Sequence, residues 1–205
     1  MNYLLLILAA YLLGSLNPAA LIAKIKHKNL RKHGTGNLGA TNVMLNFGKG
    51  FGVLVMLFDM AKAALAVAVA RQLFPANPEL AGLLAGSSAV IGHVFPFYLG
   101  FKGGKGLAAF GGLVLAFDPP TFLFLLILGV LLMLVINYSF ALPFSAAILF
   151  PILTGIHHRS LPIALLAAAI SALILFKHAG NLVKAKNGTD VKIREYLQKG
   201  HAKHK

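Results

Sequence analysis

The chain reads as long apolar runs separated by short polar stretches. The runs cover roughly Tyr3–Ile25, Phe51–Phe74, Leu80–Tyr98, Leu107–Phe117, Thr121–Ile136, Phe140–Ile156 and Leu161–Phe176. A helix needs about 20 apolar residues to cross a hydrocarbon core of about 30 Å. The pattern therefore predicts an all-α, polytopic membrane protein, a seven-transmembrane-helix bundle. Leu107–Phe117 is too short to cross alone, so it either begins inside the preceding loop or forms a half-span. The first run is not a cleavable signal, because it lacks a basic front end and keeps Asn17 and Pro18 inside. Residues 1–187 are expected to form the membrane domain and 188–205 a basic tail, more simply solvated than bound to lipid headgroups.

Composition strengthens this picture. Of 205 residues, 58% are hydrophobic and 12% charged, with a mean hydropathy of +0.79. A soluble domain carries roughly 25% charged residues. Charge then sets an orientation. The segments after the first, third, fifth and seventh runs hold Lys24 to Lys49, Lys102, Lys105 and Lys177 to Lys205, whereas the alternate segments hold Arg71 and Arg159. The positive-inside rule puts the basic side and the C-terminus in the cytoplasm and the N-terminus outside. The net charge of +14 points to anionic substrates or a membrane surface, and not to nucleic acid, since most of the chain sits in lipid. There is no cysteine, which removes thiolate chemistry. The five acids Asp59, Glu79, Asp118, Asp190 and Glu195 form no sequence cluster, so neither a metal nor another cofactor is expected.

Three polar motifs fall on the basic side. The first joins Gly14-Ser15-Leu16-Asn17-Pro18 to Gly34-Thr35-Gly36-Asn37-Leu38-Gly39-Ala40-Thr41-Asn42. Its glycines permit positive φ and let N–H groups converge on an anion, while threonine and asparagine add short donors. Opening a helix, such a loop makes a phosphate cradle. It is not a Rossmann or P-loop signature, since no strand precedes it and the lysine spacing differs. The second motif runs from Gly92-His93 through Pro96 to Phe101-Lys102-Gly103-Gly104-Lys105-Gly106, a pliable backbone with two ammonium groups suited to phosphate. The third is His178-Ala179-Gly180-Asn181 followed by Gly188-Thr189-Asp190, with His178 and Asn181 on one helix face. Inside the second run, Asp59 and Lys62 are three apart and are expected to pair toward the bundle interior with no other polar company. His157, His158, His201 and His204 read as surface residues.

Together these motifs resemble the bacterial acyl-phosphate:glycerol-3-phosphate acyltransferases of the PlsY type, in the same order along the whole chain. The resemblance implies a cytoplasmic-face site in the plasma or inner membrane. There an acyl chain passes from acyl phosphate to the 1-hydroxyl of glycerol 3-phosphate, giving lysophosphatidic acid and phosphate without a metal. By position, Thr35, Gly36, Asn37, Gly39, Thr41 and Asn42 would hold the donor phosphate, with Ser15 nearby. Lys105, with Lys102, Gly103, Gly104 and Gly106, and with His178 and Asn181, would hold the acceptor and organise the reacting centre. Ser139 matches a family serine near the acceptor. The chain departs from the family pattern at Asn29, where the family has aspartate, at Thr35 for serine, at Asp190 for glutamate, and at Leu45 for an arginine associated with the acceptor phosphate. Lys49 or Lys102 then offers the substitute charge.

Acyl phosphate is a mixed anhydride, so its carbonyl is already activated and no serine or cysteine nucleophile is required. The work is orientation, worth roughly 7–11 kcal/mol of barrier, and stabilisation of the leaving phosphate. His178 is the available base. The family's substrate-assisted route, in which phosphate takes the proton, is preferred because no carboxylate stands by to orient the histidine. An H-x-x-x-x-D acyltransferase is excluded, since none of the eight histidines has an acid five residues later. An alcohol phosphotransferase lacks its aspartates. The remaining alternative is a transporter or channel for an organic phosphate, which would place polar groups mid-membrane. Oligomeric state is not legible.

Overall fold

A computed structural model describes residues 2–189 and 192. The described residues are helical and contain no strand. The helices are α1 (Tyr3–Ser15), α2 (Pro18–Ile25), α3 (Ala40–Phe47), α4 (Lys49–Leu73), α5 (Pro78–Val94), α6 (Leu107–Phe117), α7 (Pro119–Ile136), α8 (Ala141–His158) and α9 (Leu161–Lys186). Short 3-10 turns lie at Leu30–Lys32 and Phe97–Leu99. By length and composition six segments can cross a membrane, counting α1 and α2 as one and extending α5 to Leu99. Where the sequence suggested seven spans, six segments are long enough, and the run Leu107–Phe117 forms the shorter helix α6. At about 1.5 Å per residue, α6 falls well short of a hydrocarbon core. It does not begin inside the preceding loop, because Gly106 caps it at φ 90°.

The chain divides into two compact units, Met1–Pro119 and Pro120–Lys205. In the first, α5 packs against α1, α4 and α6, and α4 against α3 and α6. Close approach depends on missing side chains: a Cβ on Gly14 would overlap the Ala89 backbone, and one on Gly112 the Met60 backbone. Small residues at such crossings are how helices pack without a hydrophobic driving force. One end of this unit is closed by Arg71, which pairs with Glu79 at 2.5 Å, donates to the Ala116 carbonyl at 3.0 Å and covers the Phe117 ring. The other end carries the two glycine-rich loops.

The first apolar run is interrupted where sequence dictates. Pro18 lacks an N–H and Asn17 caps the new helix, its Oδ1 accepting from the Ala20 N–H at 2.8 Å. The break frees carbonyls that must find donors in apolar surroundings. The Tyr98 hydroxyl donates to Ser15 O at 2.8 Å and the Lys62 ammonium to Leu16 O at 2.6 Å.

The second unit is built from α7, α8 and α9, with α8 against α9 and Gly129 of α7 lying close to Leu142 and Ser145 of α8. The α9 residues Ile163, Ala167, Ile170, Ser171, Ile174 and His178 are buried at helical spacing, so His178 closes the packed stripe. The α8–α9 hairpin brings the C-terminal part of α9 back to the end that carries the α7–α8 turn. Ser139, His178 and Asn181 therefore share one end of this unit. Asp190 lies outside the described residues, as does most of the tail.

Candidate functional site

The first loop is organised by one side chain. Asn42 is 1% exposed. Its amide donates to Leu30 O at 2.8 Å and Asn37 O at 2.9 Å, while its Oδ1 accepts from the Thr35 N–H at 2.9 Å and the Asn46 amide at 3.0 Å. All four hydrogen-bonding sites of the amide are thus used within the loop and α3. Asn42 shapes the cradle from behind, and the surface it shapes belongs to Thr35, Gly36, Asn37, Gly39 and Thr41. Gly34 turns at φ 59° and Gly36 at φ 73°, and a Cβ on Gly34 would collide with Asn42 Oδ1. Gly39 is the N-cap of α3 and makes no side-chain cap. The first-turn N–H groups of Ala40 and Thr41 have no intrahelical carbonyl, as at any helix start. Ser15 differs: its hydroxyl is buried and donates back to Tyr11 O at 2.8 Å.

The second loop folds back on the end of α5. Gly103 N–H donates to Val94 O at 3.0 Å and Gly104 N–H to His93 O at 3.3 Å. Gly100 and Gly106 take left-handed conformations, so Lys105 sits half-buried between the buried Gly104 and Gly106. The two loops meet. A Cβ on Gly104 would stand 3.0 Å from Leu38 O, which places Asn37 and Lys105 each one residue from the contact. Arg31 adds a clamp, its Nη2 donating to Leu99 O at 2.9 Å and Lys102 O at 2.8 Å. Beside this junction an open groove of about 660 Å³ has Lys24, His27, Lys28 and Arg31 around an apolar floor that includes Ala20, Ala23 and Leu99. Cations above alkyl surface suit a phosphate attached to a hydrocarbon chain.

In the second unit, His178 is 5% exposed and its Nδ1 lies 2.9 Å from Ile174 O. A carbonyl only accepts, so Nδ1 carries the proton and Nε2 is the accepting nitrogen of the neutral ring. The orienting group that sequence sought among carboxylates is a backbone carbonyl one helical turn earlier. Asn181, half-buried, is next on the same stripe. Ser139 lies half-buried in the α7–α8 turn.

Sequence reasoning passed over Arg31 and Tyr98. It also erred about the intramembrane pair. Asp59 Oδ1 and Lys62 Nζ are 2.7 Å apart, as expected, but they are not alone: His93 Nδ1 lies 3.1 Å from each. A histidine on α5 cannot be assigned to a pair on α4 until the helix crossing is known. Among the described residues no group of three or more metal-ligating side chains comes together.

The helices and loops define a multi-pass membrane protein whose first unit carries two glycine-rich loops at one end. Residues 4–188 match the family of glycerol-3-phosphate acyltransferases. The glycerol-3-phosphate acyltransferase of Streptococcus thermophilus is 39% identical over 196 residues, 91% of each chain. That of Lactiplantibacillus plantarum is 32% identical, over 93% of this chain and 91% of its own. The fold superposes with a TM-score of 0.86 on the crystal structure of PlsY (YgiH), an integral membrane glycerol 3-phosphate acyltransferase, in its glycerol 3-phosphate form. The two are 32% identical over 95% of this chain and 98% of that one. The lysophosphatidic acid form of PlsY matches with a TM-score of 0.82. The chain belongs to the glycerol-3-phosphate acyltransferase family.

Proposed function

We propose that this enzyme transfers an acyl chain from acyl phosphate to the 1-hydroxyl of glycerol 3-phosphate, at the cytoplasmic face of the plasma or inner membrane. The products are lysophosphatidic acid and inorganic phosphate. The observation that carries the reading is the meeting of two phosphate-suited loops at Leu38 and Gly104, one braced by Asn42 and the other by the end of α5. Thr35, Gly36, Asn37, Gly39 and Thr41 hold the donor phosphate, and Lys105 stabilises it as negative charge builds on departure. His178, Asn181 and Ser139 serve the acceptor. The hydroxyl oxygen attacks the acyl carbon, an ester C–O bond forms, and the anhydride C–O bond to phosphate breaks. The hydroxyl proton passes directly to the departing phosphate. The bias of lysine and arginine toward these loops supports a cytoplasmic site, an N-terminus outside and a C-terminus inside.

The test is purified protein in detergent with palmitoyl phosphate and glycerol 3-phosphate, reading released phosphate and lysophosphatidic acid. Release that ignores the acceptor marks a hydrolase and overturns the reading. No release, with saturable binding of glycerol 3-phosphate, favours a transporter.

A further inference from the structure

Asp59, Lys62 and His93 are 1%, 2% and 3% exposed and lie behind the residues assigned to substrate. A buried ion pair alone is a packing device, but this cluster reaches the site. Lys62 Nζ donates to Leu16 O at the break of the first span. One edge of the His93 ring faces both charged groups through Nδ1. The opposite edge faces the second loop, where a Cβ on Gly104 would overlap Nε2. The His93 carbonyl also accepts from Gly104 N–H. Asn17 Nδ2, donating to Leu38 O at 3.4 Å, joins the span break to the first loop.

We propose that Asp59, Lys62 and His93 are positioning residues, a buried brace that seats Gly104 and thereby sets the place of Lys105 for acyl transfer. The pair holds the imidazole in plane and the imidazole supports the loop backbone. None of the three touches substrate. The inference rests on the acyltransferase reading for its kinetic consequence, but not for its structural one.

The experiment compares wild type with His93→Asn and His93→Gln as full chains in detergent. Asparagine keeps a hydrogen-bonding atom where Nδ1 stood and leaves the space beside Gly104 empty, whereas glutamine extends an amide toward it. Expected for His93→Asn are an unchanged unfolding midpoint and KM values within about twofold. Its kcat falls on the order of 100-fold, as for a misplacement of about 1 Å. Amide exchange over 102–106 speeds up roughly tenfold. His93→Gln recovers part of both losses. Wild-type kcat and wild-type exchange in His93→Asn overturn the proposal. An inactive wild type sinks the acyltransferase reading instead, and the exchange data then judge the brace alone. If His93→Asn does not fold, the charge-balanced Asp59→Leu/Lys62→Met variant decides. Folded with low kcat and fast exchange it supports the brace; folded with wild-type values it overturns it.

Discussion

Asn42→Asp is the sharpest perturbation of the cradle, because it changes one group and almost no volume. The carboxylate still accepts from Thr35 N–H and the Asn46 amide. The former amide nitrogen becomes an oxygen facing Leu30 O and Asn37 O at 2.8 and 2.9 Å, so two donations become two repulsions. Leu30 is buried, and leaving its carbonyl unsatisfied costs about 1–3 kcal/mol, with about 0.5–1.5 kcal/mol more for the partly buried Asn37 contact. At 1.36 kcal/mol per decade, a combined loss of about 1.5–4.5 kcal/mol lowers the population of ordered loop by about 10-fold to 2,000-fold. The helix crossings of α1, α4, α5 and α6 do not involve this side chain, so the unfolding midpoint is expected to stay within a few degrees. The assay is initial-rate phosphate release with palmitoyl phosphate varied at saturating glycerol 3-phosphate. A fall in kcat/KM for the donor within the stated range is expected. Wild-type kcat/KM in a folded Asn42→Asp variant refutes the claim that this amide shapes a phosphate site.

Gly34→Ala attacks the same loop from the other side. A left-handed alanine costs about 1–2 kcal/mol before its Cβ meets Asn42 Oδ1, so kcat/KM for the donor falls at least tenfold in the same assay. Lys105→Ala is expected to lower kcat by about 10³-fold, near the loss of an oxyanion donor. His178→Asn retains measurable turnover at about 10²-fold lower kcat. A pH–rate profile that loses its limb near neutrality in that variant would instead make His178 the base. Arg31→Ala removes two exposed donations to Leu99 O and Lys102 O, worth about 1 kcal/mol net, and KM for both substrates rises up to about tenfold. Leu45 is 51% exposed, so Leu45→Arg is accommodated, and KM for glycerol 3-phosphate is expected to fall several-fold at unchanged kcat.

What the sequence determined by itself follows from local rules. Apolar runs of spanning length have no other stable backbone than helix in lipid, and Asn17-Pro18 breaks the first of them because proline cannot donate and asparagine can cap. Glycine positions marked the loop turns, since residues such as Gly34, Gly36 and Gly106 adopt φ values that other residues resist. The spacing of His178 and Asn181 placed both on one face of α9 without any knowledge of its neighbours. The tertiary structure decided which partners these residues have. Asn42 was legible as a donor but not as the brace of its own loop, because its four bonds depend on how 30–46 folds back. His93 joined Asp59 and Lys62 only through the crossing of α4 and α5, where Gly82 and Gly86 of α5 leave room for Val67 and Arg71 of α4. The orienting carbonyl of His178 is a main-chain atom, and side-chain patterns carry no record of which carbonyl a ring will choose. Local periodicity and backbone preference are written residue by residue, whereas a hydrogen-bond network is a property of distances between elements far apart in the chain.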